Sequence, residues 1–371
     1  MRILFTTQPF LGHFRPLVPL AAALRNRGHQ VLFASLAEFS REITFYGFEV
    51  HPLEAPAAGY PSMASTREAE IEALAGRHQE AAALELWALA RAWSPQLIVR
   101  DGGEFAGFVI AERCGIPHVS AGWVEFDCLR VRDPDLMRRI ESMRAAVGLA
   151  REFSWGDLYR YVHIESMPPS FFTRRGSPCA NAAFIRQENT VGPFEKACGW
   201  YKDLPYTESI LISFGTVATS SKESLRLCYA LRNTPINVLC AGGSEWRRIA
   251  AFVRGSKNVV VHRSMPQSWL LSRISVLVNH GSQVSVKEAI RESVPLLLAP
   301  QWNEQFYVAA RCIDLGIAHR LGGGIHSSDI RDTVMSLMAD ADVHRRLEQI
   351  HAEMLSLPNI DWAADYLERI G

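Results

Sequence analysis

The chain has 371 residues, with Lys plus Arg and Asp plus Glu equal at 39 each and hence no net charge. That length suits two domains of ordinary size, and the charge balance lacks the basic excess that a nucleic-acid partner requires. The seven cysteines (Cys114, Cys128, Cys179, Cys198, Cys228, Cys240, Cys312) are scattered and form no Cys-x-x-Cys. We read them as reduced, mostly core thiols of a cytoplasmic protein, with no zinc site.

In chain order, the apolar run from Met1 stops at Thr6 and is followed by Gln8, His13 and Arg15. It therefore reads as a first core strand, Ile3–Thr6, and not as a leader. No stretch approaches the ~20 apolar residues of a membrane-spanning helix, so no stable membrane insertion is expected. Pro16–Asn26 is predicted as a helix ended by Gly28, and Val31–Ala34 as the second strand. Thr66–Trp93, rich in Ala, Glu and Leu, is predicted as one long helix that stops before Pro95. Leu97–Val99 is a strand closing at Asp101, Phe105–Arg113 a helix running up to Gly115, and Pro117–Ala121 the next strand. From Trp123 to Pro178 the pattern is irregular, and we read it as ligand-facing chain outside the sheet core.

Val191 to Pro205, with two prolines and two glycines, reads as a linker. A second strand-helix cycle begins at Ile210–Thr216 and continues to about Leu355. The amphipathic tail Trp362–Ile370 follows Pro358. Alternating apolar and amphipathic segments of this kind indicate open parallel sheets covered by helices, an α/β chain. The expected division is 1–192, a linker 193–208, a second domain 209–357, and a terminal helix 358–371.

Two places carry chemistry. The first is Val276–Asn279, a buried strand, followed by His280, Gly281 and Ser282 and then a helix bearing Ser285 and Glu288. A helix N-terminus at a strand end presents unpaired N–H groups and a positive dipole end, suited to phosphate. Ser285 and Glu288, three residues apart, share a helix face and can address one hydroxyl-rich ligand. A second apolar strand, Pro295–Pro300, leads to Trp302, Glu304 and Gln305. The arrangement suggests binding of a nucleotide diphosphate sugar. The second place is Gly12-His13-Phe14-Arg15-Pro16, just after the first strand, with Asp101 ending a strand on the same sheet edge. Taken alone, His13 reads better as a loop histidine at the helix entry. Likewise Ser213-Phe214-Gly215-Thr216 is either an ordinary strand-end turn or a glycine and a hydroxyl offered to phosphate.

These residues resemble the inverting glycosyltransferases of GT-B fold, the group of plant UDP-sugar transferases and actinomycete antibiotic and macrolide transferases. His280, Gly281, Ser285, Glu288, Pro300, Glu304 and Gln305 fall on that family's donor signature; Ser282 and Val284 depart from it, where Gly, and Gly or Asn, are usual. Gly12-His13-x-x-Pro16 and Pro95 to Asp101 resemble the catalytic segments, with Gln96 in place of an Asp. Ser213-x-Gly215-Thr216 is similar to the diphosphate segment, and Met265-Pro266-Gln267 to the nucleobase segment, with Ser264 where an aromatic residue is usual.

The resemblance implies an α/β GT-B fold, two Rossmann-like domains facing each other across a cleft, and a terminal helix crossing back to the N-terminal domain. It implies transfer of sugar with inversion from a TDP- or UDP-sugar to a small natural-product acceptor, without metal or other cofactor, in a monomer or homodimer. His13 is then the general base and Asp101 its partner. Gly215, Thr216, Met265, Gln267, His280, Gly281, Ser282, Ser285, Glu288, Glu304 and Gln305 hold the donor. Phe10, Trp123 and Trp302 face the acceptor. A nucleotide-sugar epimerase of similar fold, or a non-catalytic homologue whose Ser282 and Val284 crowd the phosphate nest, are the rival readings. Asp133-Pro134-Asp135 matches a metal motif of another transferase fold but lacks its context. Gly322–Gly324 reads as a turn, and Arg174 with Arg175 as a solvated loop.

Overall fold

The structure, a computed structural model, describes residues 1–55, 67–122, 133–150, 152–172, 179, 181–188, 198–215, 221–301, 304–322 and 326–371. The chain divides into two compact units, Met1–Thr190 with Ser356–Gly371, and Val191–Leu355.

The first unit runs β1 (Arg2–Thr6), α1 (Leu11–Phe14), α2 (Val18–Asn26), β2 (Gln30–Leu36), α3 (Ser40–Phe45), β3 (Glu49–Leu53), α4 (Arg67–Ala75), α5 (Arg77–Trp93), β4 (Leu97–Asp101), α6 (Ala106–Cys114), β5 (His118–Ala121), α7 (Pro134–Ala146), β6 (Val162–Glu165) and β7 (Ala182–Phe184). Its seven strands are ordered β3-β2-β1-β4-β5-β6-β7 and every pairing is parallel. Ile3, Leu4, Phe5, Leu97, Ile98 and Val99 are all fully buried, because helices cover both faces of such a sheet and its central strands meet no water. Strand order reverses between β1 and β4. The chain leaves these two neighbours toward opposite sides, which opens a crevice at their carboxyl ends.

Three expectations change. The helix after β1 starts before Pro16: α1 carries His13, and a 3-10 turn at Arg15–Leu17 joins it to α2. The long helix is two, α4 and α5, because Gly76 takes an extended conformation (ψ −174°) between them. The irregular stretch contains α7 and β6, and β7 follows it to complete the sheet. Its apolar strand residues are few (Val162, Ile164), so the polar His163 and Glu165 hide a four-residue strand that is nonetheless buried throughout.

The second unit runs β8 (Ser209–Ser213), α8 (Ser221–Leu231), β9 (Asn237–Ala241), α9 (Trp246–Phe252), β10 (Val259–His262), α10 (Gln267–Leu271), β11 (Val276–Asn279), α11 (Gln283–Arg291), β12 (Leu296–Leu298), α12 (Glu304–Asp314), β13 (Ala318–Arg320), α13 (Ser327–Ala339) and α14 (Ala341–Ser356). The sheet order is β10-β9-β8-β11-β12-β13, again with parallel pairing, and its reversal lies between β8 and β11. Part of the predicted linker, Cys198–Pro205, is packed onto this unit: the Trp200 ring stacks on His262 with centroids 5.4 Å apart, and the Tyr201 hydroxyl donates to the Arg273 carbonyl.

The last helix, α15 (Ile360–Ile370), belongs to the first unit. Its Ala363, Ala364 and Leu367 are fully buried in one cluster with Leu20 and Leu24, and its outer face gives Asp361, Asp365 and Glu368 to Arg27. The buried stripe holds this helix, a Leu alone contributing roughly 1.5–3 kcal/mol, whereas exposed ion pairs contribute at most about 1 kcal/mol each. Among the described residues no disulfide joins the cysteines, and no helix is long and apolar enough to cross a membrane.

Candidate active site

Both switch points carry the residues singled out from sequence. In the first unit, the chain leaving β1 delivers His13 and β4 ends on Asp101. His13 Nδ1 lies 2.9 and 3.0 Å from the two oxygens of Asp101. Asp101 is fully buried and the imidazole is 17% exposed. A carboxylate can only accept here, so Nδ1 carries the proton and Nε2 keeps its lone pair. The Asp101 carboxylate also accepts from Gln8 N (3.1 Å) and Gly103 N (2.9 Å), which gives the buried charge the hydrogen bonds it needs. Gln8 then donates through Nε2 to the Gly103 carbonyl at 2.9 Å. Neither Gln8 nor Gly103 was picked out from sequence; the available signal was their place, two residues beyond the ends of the two strands at the reversal. Phe10 begins the turn, with its ring centroid 5.8 Å from that of His13.

In the second unit, β8 leads to Gly215 and β11 to His280, side by side. Gly215 has φ +77°, and a Cβ there would sit 3.0 Å from His280 Cε1. Gly281 has φ +92° and would bring a Cβ within 3.0 Å of the Gln305 carbonyl oxygen, while its N–H donates to the Asn279 side chain at 2.6 Å. Only glycine fits both positions, since a side chain is strained at such φ and the space is occupied. Burial pushes the His280 imidazole down to about 4, so it is neutral at pH 7, and its Nδ1 is buried with no hydrogen-bond partner. Ser282 is the N-cap of α11, but its side chain makes no capping bond.

One turn along α11, Gln267 Nε2 donates to Ser285 Oγ (3.1 Å) and to Glu288 Oε2 (2.8 Å). Ser268 Oγ donates to the other Glu288 oxygen at 3.2 Å. Glu288 is buried, and this cluster therefore joins α10 to the inner face of α11. Ser268 was not anticipated, though it is adjacent to Gln267 on the same short helix. Met265 is half-buried in the turn that enters α10. Gln305 is buried and accepts through Oε1 from Gln301 N at 3.0 Å; Glu304 is the first residue of α12. Thr216, Trp123 and Trp302 lie outside the described residues, as do Arg174, Arg175, Gly323 and Gly324.

The Asp133-Pro134-Asp135 run has a structural occupation. Asp133 is the N-cap of α7 and accepts from Asp135 N and Leu136 N, with Pro134 at the first helical position, a common way to start a helix. Asp135 pairs with Arg138.

No family model matches the chain. Curated relatives do. Oleandomycin glycosyltransferase of Streptomyces antibioticus is 26% identical, over 96% of this chain and 88% of its own length. TDP-daunosamine transferase DnrS of Streptomyces peucetius is 24% identical over 96% and 94%, and the NDP-glycosyltransferase YjiC of Bacillus subtilis (strain 168) 22% over 97% and 95%. Among solved structures, glycosyltransferase VinC in complex with DTDP superposes with a TM-score of 0.81 at 23% identity, covering 100% of this chain and 99% of that one. The spinosyn forosaminyltransferase SpnP gives 0.81 at 23%, covering 100% and 98%. Along nearly its whole length this chain is thus similar to glycosyltransferases that include antibiotic transferases, and it shares the GT-B fold of the solved ones.

Proposed function

We propose that this chain is a metal-independent, inverting glycosyltransferase that moves a sugar from a TDP- or UDP-sugar to a hydroxyl of a small natural-product acceptor. The observation that carries the reading is the contact of His13 Nδ1 with both oxygens of buried Asp101. It leaves Nε2 as a base at the rim of the β1–β4 crevice, and it stabilises the imidazolium that forms when a proton is taken. An acceptor hydroxyl is a poor nucleophile until its proton leaves. In the proposed step Nε2 takes that proton as the oxygen bonds to the anomeric carbon. The bond from that carbon to the diphosphate oxygen breaks on the opposite face, so configuration inverts.

The leaving diphosphate gains charge as the bond breaks. The first turn of α11 has N–H groups without intrahelical acceptors and a positive dipole end, and neutral His280 adds one further N–H donor beside it. Fixed donors of this kind take the part that a metal ion plays elsewhere. Ser285 and Glu288 are suited to sugar or ribose hydroxyls, with Gln267 holding both side chains in place. The relatives named above support the donor class, one as a TDP-daunosamine transferase and one structural neighbour in complex with DTDP. An epimerase would need no acceptor, and among the described residues no feature of the site favours one.

The test is release of nucleoside diphosphate from TDP- and UDP-sugars in the presence of a panel of hydroxylated polyketide and aromatic acceptors. Release that depends on acceptor, with a β-product from an α-linked donor, supports the reading. Conversion of the nucleotide sugar without any acceptor would replace it with the epimerase.

A further inference from the structure

Immediately before Asp101 stands Arg100, which is fully buried. Taking a guanidinium out of water is costly unless its donors are used; here Nη1 serves one turn of chain and Nη2 a carbonyl outside it, while Nε is buried with no partner. Nη1 donates to the carbonyls of Asp101 (3.3 Å), Gly102 (3.2 Å) and Glu104 (3.0 Å), and Nη2 to the Leu158 carbonyl (2.8 Å). The cation also lies over the rings of Phe105 and Tyr159, at 5.9 and 5.5 Å from their centroids.

The same turn is tied at its far end, where the buried Glu104 side chain accepts from Thr6 Oγ1 and from Gly107 N. Between these two anchors lies Gly103, whose N–H donates to Asp101 Oδ1 and whose carbonyl accepts from Gln8. The orientation of the Asp101 carboxylate thus depends on where the 101–104 turn places Gly103 N, and Arg100 holds three of that turn's four carbonyls.

We infer that Arg100 is a positioning residue: by fixing the 101–104 turn it sets the plane of the Asp101 carboxylate against His13 Nδ1. The inference rests on the reading of His13 as the base, but its structural content can be measured without catalysis. Lysine cannot replace it. One ammonium keeps the charge yet cannot span three carbonyls and the Leu158 oxygen with a rigid fork.

The experiment compares wild type with R100K and R100Q, each checked by circular dichroism for native secondary structure. The first readout is solvent exchange of the His13 Nδ1 proton by NMR, and the second is acceptor-dependent release of nucleoside diphosphate. Expected in R100K are exchange at least tenfold faster and turnover lowered roughly tenfold, with nucleoside diphosphate affinity within twofold of wild type, since that site lies in the other unit. R100Q, smaller and uncharged, should show the larger change in both. Exchange as slow as wild type in a folded variant of either kind overturns the inference, whatever turnover does. Faster exchange with unchanged turnover supports the positioning and instead removes His13 from the proposed reaction.

Discussion

The backbone of Gly215 lies against the imidazole of His280, close enough that a single added methyl would sit 3.0 Å from Cε1. The two residues leave β8 and β11, the neighbours between which the strand order of the second sheet reverses, so the contact lies at that switch point. G215A should therefore act twice. It places a side chain at φ +77°, costing about 1–2 kcal/mol, and it displaces His280. Denaturant titration should show that loss, and calorimetry should show TDP or UDP binding weakened by roughly tenfold, equivalent to 1.4 kcal/mol. Wild-type nucleotide affinity in G215A would take His280 out of the donor site.

Acid should loosen the second unit through the same histidine. Burial lowers the His280 imidazole to about 4 from 6.5, so the folded state resists the proton that the unfolded chain accepts. Its contribution to stability is complete above pH 6.5 and is lost as pH falls toward 4, a change on the order of 2–3 kcal/mol at about 1.4 kcal/mol per pH unit. Urea unfolding of H280Q at pH 7.5 and 4.5 should show a smaller decline than wild type between the two values. Equal declines would mean that His280 is protonated in the fold.

Much of this was legible in the sequence because the local signals agree. The strands β1, β4, β8, β11 and β12 are short apolar runs bounded by turns, and the residues following β11 begin a helix as their spacing predicts. His13 and Asp101 lie 88 residues apart in sequence, and the family pattern together with their expected place on one sheet edge linked them; the physical link is that β1 and β4 are neighbours, which no local pattern encodes. The polar strand β6 and the break at Gly76 were hidden for the same reason. His163 is buried by what covers the sheet, and its Nδ1 meets Ser120 Oγ of the neighbouring strand β5 at 2.8 Å, so tertiary context overrode a composition that reads as loop. Gln8 and Gly103 hold Asp101 through backbone N–H groups, which carry no residue-type signature, and the Arg100 side chain serves backbone carbonyls that no local pattern places.

Ser282 departs from the usual glycine, yet its place is an ordinary one. It is an N-cap with extended backbone (φ −61°, ψ 130°) and makes no side-chain capping bond. S282G should thus cost only a few tenths of a kcal/mol and leave nucleotide binding equal to wild type or tighter, because removal of the hydroxymethyl lets backbone approach phosphate more closely. A thermal-shift series with TDP and UDP reads both effects. Loss of nucleotide stabilisation in S282G would show that the hydroxyl itself is a ligand.

Chelation should leave transfer intact. Asp133 is engaged in capping α7 and Asp135 in pairing with Arg138, and the charge of the leaving group is assigned to the α11 N-terminus and His280. Turnover measured with and without EDTA checks this. Recovery of a lost activity by magnesium or manganese would transfer that assignment to a metal ion.

The sharpest contrast is between H13A and D101N. H13A removes the lone pair that takes the acceptor proton, and turnover should drop by roughly two to four orders of magnitude, the usual span for a lost general base. D101N keeps the imidazole but changes its holder. Both Asp101 oxygens accept backbone N–H bonds, one from Gln8 and one from Gly103, so an amide NH2 at either position faces a donor and costs about 1–3 kcal/mol of stability. Where the amide nitrogen turns toward His13, the ring must accept at Nδ1 and carry its proton on Nε2, the wrong tautomer for a base. Where the oxygen turns toward His13, the tautomer survives but the imidazolium loses its counter-charge. D101N should thus lower turnover by about one to two orders of magnitude, less than H13A. Both variants should bind TDP or UDP within twofold of wild type. Undiminished turnover in H13A removes the base from the mechanism, and undiminished turnover in D101N alone would show that His13 is held by the turn and not by the carboxylate.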